Sequence, residues 1–294
     1  MIQHDGSKMP VGKPHWLKRR LPTGAAWEKT RSLLKKGRLH TVCQEAMCPN
    51  LWECFSQQTA AFLIMGTCCT RNCRFCAVSH GAPEPADPEE ASRVAEAVQS
   101  MQLRYVVITS VTRDDLPDGG CLFFVETVKE IRKKSPDATV EVLIPDFQGN
   151  TDALRTVMEA HPDVLNHNIE TVKRLYPSVR PSAVYRRSLG LLKQVRENDP
   201  TIFTKSGLML GLGELPEEIH ETLRDLLNAG CRMLTLGQYL QPSGEHLPVE
   251  RFIPPEEFKS WREIALEMGF PEVASGPFVR SSYRARELYQ ALHA

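Results

Sequence analysis

The chain has 294 residues, and its 36 basic and 36 acidic side chains give a formal net charge of zero at pH 7. This length suits one large domain or two small ones. The 41% hydrophobic and 24% charged residues are typical of a folded globular protein. The charge balance gives no electrostatic reason to expect a nucleic-acid-binding protein. No apolar run approaches the roughly 20 residues that span a bilayer, so a membrane protein is not expected.

Short apolar runs alternate with amphipathic helical patterns from residue 60 onward, whereas residues 1–59 are predicted to be irregular. The predicted strands are Ala61–Met65, Tyr105–Val111, Thr139–Ile144, Asp163–His167, Lys205–Gly211, Arg232–Gln238 and Val273–Ser275. The predicted helices are one that Asp87 caps, one with its apolar face at Leu122, Val125, Val128 and Ile131, and others at 151–160, 182–197, 216–229, 255–268 and 284–292.

This alternation implies parallel strands joined by right-handed crossovers. About six such units predict an α/β fold, and they fit an incomplete (β/α)6-type TIM-like barrel with N-terminal and C-terminal extensions better than a flat doubly wound sheet, although periodicity alone does not decide whether the sheet closes. The predicted domains are an N-terminal extension at 1–59, the partial barrel at 60–276 and a C-terminal extension at 277–294. In such a fold the ligand site lies at the carboxyl ends of the strands.

The nine cysteines are unevenly distributed, because seven of them lie between positions 43 and 76. A secreted disulfide framework is expected to be short and to follow a signal peptide. The N-terminus has no apolar segment of that kind, and it reads poorly as an acid-poor amphipathic presequence. A cytoplasmic location is therefore predicted, where clustered thiols indicate metal binding or redox chemistry.

The sharpest motif is Cys69-Thr-Arg-Asn-Cys73-Arg-Phe-Cys76, which follows the first predicted strand and Gly66. Three closely spaced thiolates can hold a [4Fe–4S] cluster and leave one iron open. An open metal position is where a substrate or cosubstrate binds. The alternatives are unliganded thiols or a structural zinc site, although zinc prefers paired C-x2-C units and four ligands.

A second set, Cys43-Gln-Glu-Ala-Met-Cys48-Pro-Asn-Leu-Trp-Glu-Cys54, lies just upstream and again offers three thiolates. Taken alone, it is also compatible with a zinc site completed by His40. Beside the first motif, it indicates a second iron–sulfur cluster.

The Cys69–Cys76 motif resembles that of the radical S-adenosylmethionine enzymes, and further stretches resemble one of their families, the lipoyl synthases. The matching stretches are Pro14–Lys18, Thr41–Cys54, Thr109–Leu116, Asn166–Thr171, Lys205–Glu214, Gly237–Pro242 and Arg280–Tyr283. The C-x4-C-x5-C set together with Arg280-Ser-Ser-Tyr283 is highly specific to that family. Cys68, Leu51-Trp52 and Thr112 depart from the family pattern, but none of these departures removes a ligand.

The resemblance implies two [4Fe–4S] clusters and S-adenosylmethionine as cosubstrate. Cys69, Cys73 and Cys76 would hold the cluster that cleaves S-adenosylmethionine to a 5′-deoxyadenosyl radical. An auxiliary cluster would supply two sulfur atoms for C6 and C8 of an octanoyl chain linked to a carrier-protein lysine. The ligands implied for this cluster are Cys43, Cys48, Cys54 and Ser282. Without the resemblance, Ser281 or Ser282 would be read as a helix N-cap, and Ser281 remains a candidate for that role.

Lesser site residues follow from their positions after predicted strands. Asn168 and Glu170 are candidates for binding the methionine amine or the ribose of S-adenosylmethionine, and Arg180 is a candidate for binding its carboxylate, with surface ion pairing as the alternative. Arg280 is a candidate substrate-binding residue near the auxiliary cluster, and Gly211-Leu-Gly213 is a weak candidate for the adenine site. Arg113, Asp114 and Asp115 are left open between contact with the cosubstrate or the substrate amide and capping of the next helix. Cys121 and Cys231 are read as core residues.

The partners that the resemblance implies are octanoylated carriers, such as the glycine cleavage H protein and the lipoyl domains of 2-oxoacid dehydrogenase E2. An electron donor such as flavodoxin or ferredoxin and an iron–sulfur carrier are implied as well. Two other functions remain open at this point. One is a radical S-adenosylmethionine enzyme that inserts sulfur into, or dehydrogenates, a different substrate. The other is a non-catalytic two-cluster electron carrier or a zinc-stabilised binding module.

Overall fold

A computed structural model describes residues 12–18, 25–57 and 60–293 of the chain. Its strands are β1 (His40–Thr41), β2 (Ala61–Ile64), β3 (Cys68–Cys69), β4 (Ser79–His80), β5 (Tyr105–Ser110), β6 (Thr139–Leu143), β7 (Val164–Asn166), β8 (Phe203–Leu210), β9 (Met233–Gln238) and β10 (Glu272–Gly276). Its α-helices are α1 (Ala25–Lys36), α2 (Val42–Glu45), α3 (Leu51–Ser56), α4 (Glu90–Ser100), α5 (Cys121–Lys134), α6 (Thr151–Glu159), α7 (Tyr176–Val179), α8 (Tyr185–Asn198), α9 (Pro216–Asn228), α10 (Pro255–Met268) and α11 (Ala285–Ala291). Short 3-10 turns cover His15–Leu17, Phe147–Gly149 and Lys173–Leu175.

The main sheet has eight strands in the order β1-β2-β5-β6-β7-β8-β9-β10. All neighbours from β2 to β10 are parallel, and only the short β1 is antiparallel to its neighbour. The order never reverses, so each crossover advances the sheet in the same direction, as in a barrel and unlike a doubly wound sheet. The sheet ends in two different edge strands, which agrees with the predicted open barrel. β10, which corresponds to the predicted strand Val273–Ser275, is the seventh parallel strand of the sheet and follows the six predicted β/α units.

The strands are buried as a two-sided parallel sheet requires. All four residues of β2 and all six of β9 are buried. One polar pair lies within this apolar interior: Lys205 on β8 and Glu141 on β6 both have fully buried side chains, and Lys205 Nζ lies 2.9 Å from each carboxylate oxygen of Glu141. None of the helices in the described ranges is long and apolar enough to cross a bilayer.

The prediction that residues 1–59 are irregular is wrong for their described part, which contains α1, β1, α2 and α3. Trp27, Thr30 and Leu34 recur at helical spacing on α1, and Thr30 and Leu34 are each only 2% exposed. Trp27 stacks on Trp52 of α3, with ring centroids 4.2 Å apart. This small aromatic contact stabilises helices whose sequence pattern is too short to be distinctive. Residues 1–11, 19–24, 58–59 and 294 of the predicted extensions lie outside the described residues.

The predicted N-cap of α4 is also wrong, because the helix begins at Glu90 and its N-cap is Glu89. The Asp87 carboxylate accepts a hydrogen bond from Glu89 N at 2.9 Å and pairs with Arg93, so it orders the turn before the helix. The Glu90 carboxylate accepts a hydrogen bond from Met65 N at 2.7 Å. Glu90 therefore ties the start of α4 to the end of β2.

Candidate functional site

A cavity of about 540 Å³ opens at the carboxyl ends of the parallel strands, where the sequence predicts the ligand site. Both chain extensions contribute to its wall. The predicted site residues in the lining are Cys43, Cys48, Cys69, Cys73, Cys76, Asn168, Glu170, Arg180, Arg280 and Ser282. Cys54 is half-buried on α3 and lies outside the lining.

The loop that carries Cys69, Cys73 and Cys76 is closed at its base by the parallel pairing of β3 with β4. Cys69 Sγ accepts two backbone hydrogen bonds, from Arg71 N at 3.4 Å and from Thr112 N at 3.3 Å. These two donors fix the position of the Cys69 sulfur at the base of the loop.

Arg71, within this loop, fixes it to the ends of two strands. Its guanidinium donates to Asp114 at 2.6 Å and to Asp146 at 2.6 Å, and Arg187 pairs with the second oxygen of Asp146. Burial alone would raise the pKa of Asp146, but the hydrogen bond and charge of Arg71 outweigh it and lower the pKa to about 2. Asp114, left open between cosubstrate and capping roles, is thus an anchor for the cysteine loop, while its neighbour Arg113 pairs with Asp115.

The thiols of this loop are close enough to influence one another. Burial is the main reason that the pKa of Cys76 is raised to about 12, and the thiols of Cys73 and Cys69 contribute to the increase. Burial also raises the pKa of Cys73, against the opposing charge of Arg180. Such thiols deprotonate when a cationic centre supplies the compensating charge.

The second cysteine set is assembled on two short helices. Thr41 accepts a hydrogen bond from Gln44 N as the N-cap of α2, which carries Cys43. Burial raises the pKa of Cys43 to about 12, and the nearby thiols of Cys48 and Cys54 contribute to the increase. The three thiols are therefore grouped, as the sequence motif predicts.

The zinc alternative receives no geometric support from the described part of the chain. There, no three His, Cys, Asp or Glu side chains converge on a position suited to one metal ion. His40, the proposed fourth zinc ligand, lies 3.5 Å from the Glu45 carboxylate instead. In a cubane each thiolate binds a different iron, so the thiols need not converge on one point.

The two extensions are bound to each other across more than 220 positions of sequence. Asn50 Nδ2 donates to Phe278 O at 2.7 Å, and Tyr283 Oη donates to Glu53 Oε1 at 2.9 Å. Asn50 and Glu53 lie between Cys48 and Cys54, and Phe278 and Tyr283 flank Ser282. These contacts place Ser282 in the same cavity wall as Cys43 and Cys48.

Ser281 does not cap the C-terminal helix, because α11 begins at Ala285 and its N-cap is Arg284, in a left-handed conformation. Ser281 Oγ instead donates to Asn168 Oδ1 at 2.8 Å. The signal that sequence reasoning missed is Gly207. An isolated glycine within a strand often marks a place where another part of the chain or a ligand approaches the strand closely. A side chain there would lie 3.1 Å from Ser281 Oγ.

Arg180 lies beside the Cys69–Cys76 loop, and none of its hydrogen-bond acceptors in the described ranges is an anion. Its Nη1 donates to Asn168 O, Ile169 O and Tyr176 Oη, which are neutral acceptors. Its buried Nε finds no acceptor among the described residues. A ligand carboxylate would satisfy both the charge and the orphaned donor.

Glu170 supplies the opposite charge on the same rim. Burial raises the pKa of Glu170, against the opposing charges of Arg180 and Arg280. Its backbone has a positive φ of 65°, held by hydrogen bonds to Gly207 and Met209 of β8. Strain of this kind in a cavity wall is typical of a binding residue. An ammonium group of a ligand would offset the burial of this carboxylate.

The remaining candidates lie elsewhere. Gly211 and Gly213 are outside the cavity lining, and the space that Gly211 leaves is filled by Gln238 and by Arg251 O. Cys121 and Cys231 are buried core residues, as predicted. Cys68 pairs with Ser79 in the short β3–β4 ladder, and its thiol neighbours Arg113.

These donors fit the groups that the sequence implies. Three grouped thiols leave one position of a [4Fe–4S] cluster open, and the orphaned Arg180 Nε beside them suits the carboxylate of an amino acid moiety. Cys43, Cys48 and Cys54, with Ser282 brought alongside, provide a donor set for a second cluster. Residues of both sets line one cavity.

Comparison with known proteins agrees with this chemistry. The Radical SAM superfamily model matches residues 63–226, and the model for the N-terminal domain of lipoyl synthase matches residues 4–48. The chain is similar to the lipoyl synthase of Desulfotalea psychrophila, at 59% identity over 96% of this chain and 95% of that protein. It is also similar to the lipoyl synthase of Caldanaerobacter subterraneus subsp. tengcongensis, at 57% identity over 94% of this chain and 97% of that protein.

Solved structures support the fold alone. SuiB from Streptococcus suis, in complex with S-adenosylmethionine, matches 74% of this chain and 51% of its own, with a TM-score of 0.56 and 10% identity. HydG, a maturase of the [FeFe]-hydrogenase, matches 84% of this chain and 65% of its own, with a TM-score of 0.56 and 15% identity. The sequence matches are far stronger and extend over nearly the whole chain. The chain therefore belongs to the lipoyl synthase family of radical S-adenosylmethionine enzymes.

Proposed function

We propose that the chain inserts two sulfur atoms, at C6 and C8, into an octanoyl group on a carrier-protein lysine to form a lipoyl group. At each position a C–H bond is replaced by a C–S bond, and the hydrogen atom leaves in 5′-deoxyadenosine. When bound, the first cluster and S-adenosylmethionine supply the radical, and the auxiliary [4Fe–4S] cluster is the sulfur-donating substrate. The observation that carries the proposal is the shared cavity, which Ser282, Cys43 and Cys48 line together with Cys69, Cys73 and Cys76.

The residues divide between two tasks. Cys69, Cys73 and Cys76 would hold the first cluster. Glu170 and Arg180 would bind the amine and the carboxylate of S-adenosylmethionine through charge-assisted hydrogen bonds, and Asn168 would support Glu170, to which it donates at 3.0 Å.

The second task is to hold the sulfur donor beside the substrate. Cys43, Cys48 and Cys54 would supply the thiolate ligands, and Ser282 would supply an oxygen ligand that is released more easily than a thiolate. Arg280 lines the same wall and would orient the substrate. The contacts of Asn50 and Glu53 with the C-terminal segment keep Ser282 next to these thiols.

The partners proposed from the family are octanoylated carriers, namely the glycine cleavage H protein and the lipoyl domains of 2-oxoacid dehydrogenase E2. A flavodoxin or ferredoxin would donate electrons, and an iron–sulfur carrier would rebuild the auxiliary cluster. Seven of the nine cysteines cluster at 43–76, and none of the nine, all within the described residues, forms a disulfide, so we propose a reducing cytoplasmic location.

The test uses protein purified without oxygen and reconstituted with iron and sulfide. We expect on the order of eight irons per chain, from two four-iron clusters. With reductant, S-adenosylmethionine and an octanoylated carrier, we expect 5′-deoxyadenosine and a carrier whose mass shows two added sulfur atoms. Dehydrogenation without a gain of sulfur would indicate the alternative of a different radical reaction.

Ser282→Ala separates the two tasks within one protein. We expect it to retain S-adenosylmethionine cleavage but to lose sulfur insertion or the auxiliary cluster, because only the oxygen ligand is removed. Ser260→Ala is the matched control, since Ser260 is an exposed serine of α10 whose hydroxyl bonds only within its helix. Full double insertion by Ser282→Ala, with its iron content intact, would refute the ligand assignment.

A further inference from the structure

The charges of this neutral chain are unevenly distributed among the crossovers that join its strands. The crossover from β7 to β8 has seven basic and no acidic side chains at 171–196. The next crossover has the opposite bias, with one basic and five acidic side chains at 211–231. A surface of one sign attracts molecules of the opposite sign, so the first of these crossovers favours an acidic partner.

Most of the seven cations at 171–196 are already engaged. Their contacts are an ion pair for each of Arg174, Arg187 and Lys193, a backbone carbonyl for Arg196 and the cavity wall for Arg180. The other two, Lys173 and Arg186, are exposed and have no carboxylate partner among the described residues. These two residues, the rim cations, therefore leave their charges available to another molecule.

The rim cations lie at the end of the barrel where the cavity opens. Lys173 follows Glu170, a lining residue of the cavity, by three positions. Arg186 is in the first turn of α8, and its neighbour Arg187 pairs with Asp146, which is also in the lining. Both charges are therefore beside the cavity mouth rather than at the opposite end of the barrel.

Exposed apolar side chains lie at the same end. The large apolar side chains that are exposed in the described ranges are Met47, Leu122, Val184 and Leu215. Met47 lines the cavity, and the other three lie at the starts of α5, α8 and α9. A helix of a β/α unit begins where its strand ends, so all four are on the side of the mouth. Val184 is 46% exposed and precedes Arg186 by two positions, and apolar side chains beside a cation are typical of a protein interface.

The substrate of the proposed function requires a contact at this end of the barrel. An octanoyl-lysine is attached to its carrier only through a short alkyl side chain. Its C6 and C8 can therefore enter the cavity only when the surface of the carrier touches the rim. The residues around the mouth are thus the part of the protein that meets the carrier.

We propose that the rim cations and Val184 form a docking surface for a folded carrier domain that has acidic side chains beside its octanoyl-lysine. This inference rests on the proposed function, because it takes a protein-bound octanoyl group as the substrate. Opposite charges across an interface steer the encounter and fix the orientation of the partners. The carrier then approaches from the side of the β7–β8 crossover, since the acidic crossover at 211–231 repels it.

The experiment compares wild type, the rim reversal (Lys173→Glu with Arg186→Glu) and a control reversal (Lys133→Glu with Lys193→Glu), all reconstituted without oxygen. Both control lysines are exposed in the C-terminal halves of α5 and α8, and Lys193 lies about 10 Å further along its helix than Arg186. The control therefore makes the same change in net charge away from the mouth.

Each protein is given either the octanoylated lipoyl domain of 2-oxoacid dehydrogenase E2 or a short octanoyl-lysyl peptide without acidic residues. The first readout is the dissociation constant without S-adenosylmethionine, at about 0.15 M salt, where only charges within about 8 Å interact strongly. The second is the single-turnover yield of lipoyl group at saturating substrate. The peptide contains the reacting chain but not the surface of the domain, so it separates docking from events in the cavity.

We expect the rim reversal to weaken binding of the domain about tenfold, because two exposed attractions are replaced by repulsions of similar size. The loss should shrink at higher salt, which screens the charges. Binding of the peptide and the yield at saturation should not change, since the cavity is intact. The control reversal should bind both substrates as wild type does.

Unchanged affinity of the rim reversal for the domain would overturn the docking surface, as would an equal loss in the control reversal or an equal loss with the peptide. Loss of transfer RNA binding or of self-association, with carrier affinity unchanged, would instead assign the rim cations to a nucleic acid or to a second copy of the chain. All of these results leave the proposed function in place, provided that wild type forms the lipoyl group on either substrate. Failure of wild type with both substrates would overturn the proposed function and the docking surface together.

Discussion

The buried pair of Glu141 and Lys205 gives a sharp test of the fold. Both side chains are 0% exposed. The Glu141 carboxylate accepts hydrogen bonds from Lys205 Nζ and also from Tyr105 Oη at 2.6 Å and Asn166 Nδ2 at 2.9 Å. Lys205, in contrast, donates both of its hydrogen bonds to Glu141. Without Lys205, the Glu141 carboxylate would keep two hydrogen-bond donors, whereas without the Glu141 charge, Lys205 would keep no charged partner among the described residues.

Removing one member of a buried ion pair costs about 3–5 kcal/mol, because an uncompensated charge remains. Lys205→Met should lie at the lower end, about 3 kcal/mol, since Tyr105 and Asn166 still donate to the carboxylate. Glu141→Gln should lie at the upper end, about 5 kcal/mol, because Lys205 loses its only charged partner in the described structure. The double variant leaves no buried charge, so we expect it to be more stable than Glu141→Gln by about 2 kcal/mol or more.

The assay is urea unfolding of the reduced, cluster-free protein, followed by tryptophan fluorescence. Lys193→Met is the control, because its pair with Glu197 is exposed on α8 and exposed pairs contribute little; its midpoint should not move. The reasoning would be refuted by single-variant costs below about 1 kcal/mol, or by costs that simply add in the double variant.

Two further predictions concern the anchor of the cysteine loop and the C-terminal segment. The Asp146 pKa falls from 3.8 to about 2 beside Arg71, so this carboxylate contributes about 2 kcal/mol above about pH 4, and the contribution disappears as the pH falls toward 2. Asp146→Asn should therefore be less stable at neutral pH, with a difference that narrows in acid; a constant difference in urea unfolding would contradict this. Gly237→Ala should lose about 1–3 kcal/mol because the new carbon meets Val279 O. Gly190→Ala in α8, where nothing lies within 4 Å, should be neutral or slightly stabilising, and equal effects would refute the packing argument.

The sequence was most informative where one local rule decides the structure. Alternating apolar and amphipathic patterns predicted β2 and β5 through β10 to within a few residues, because strand burial and helix periodicity are local signals. The two cysteine sets were equally readable, since the spacing of Cys69, Cys73 and Cys76 suits one loop. These alternating elements favoured a barrel over a doubly wound sheet, but their periodicity alone could not decide closure, which depends on the order in which the strands pair.

The sequence was least informative where contacts between distant parts of the chain determine the local structure. Asp87 looked like a cap, but Glu90 is drawn into a bond with Met65, and the helix starts later. Ser281 looked like a cap for the same local reason, although its hydroxyl reaches Asn168, which is 113 positions away. A single sequence contains no direct signal of such a pairing, and Gly207 was the one local residue that marked it.

The hydrogen bond from Asn50 to Phe278 O joins residues that are 228 positions apart, and the one from Tyr283 to Glu53 joins residues that are 230 positions apart. The thiols at 43–54 are therefore synthesised more than 220 residues before Ser282. Completion of the proposed auxiliary ligand set must wait until the chain has been made through Ser282 and its two extensions have come together. A product truncated before position 278 would keep all seven clustered thiols but lack Ser282, so it could not assemble the proposed ligand set.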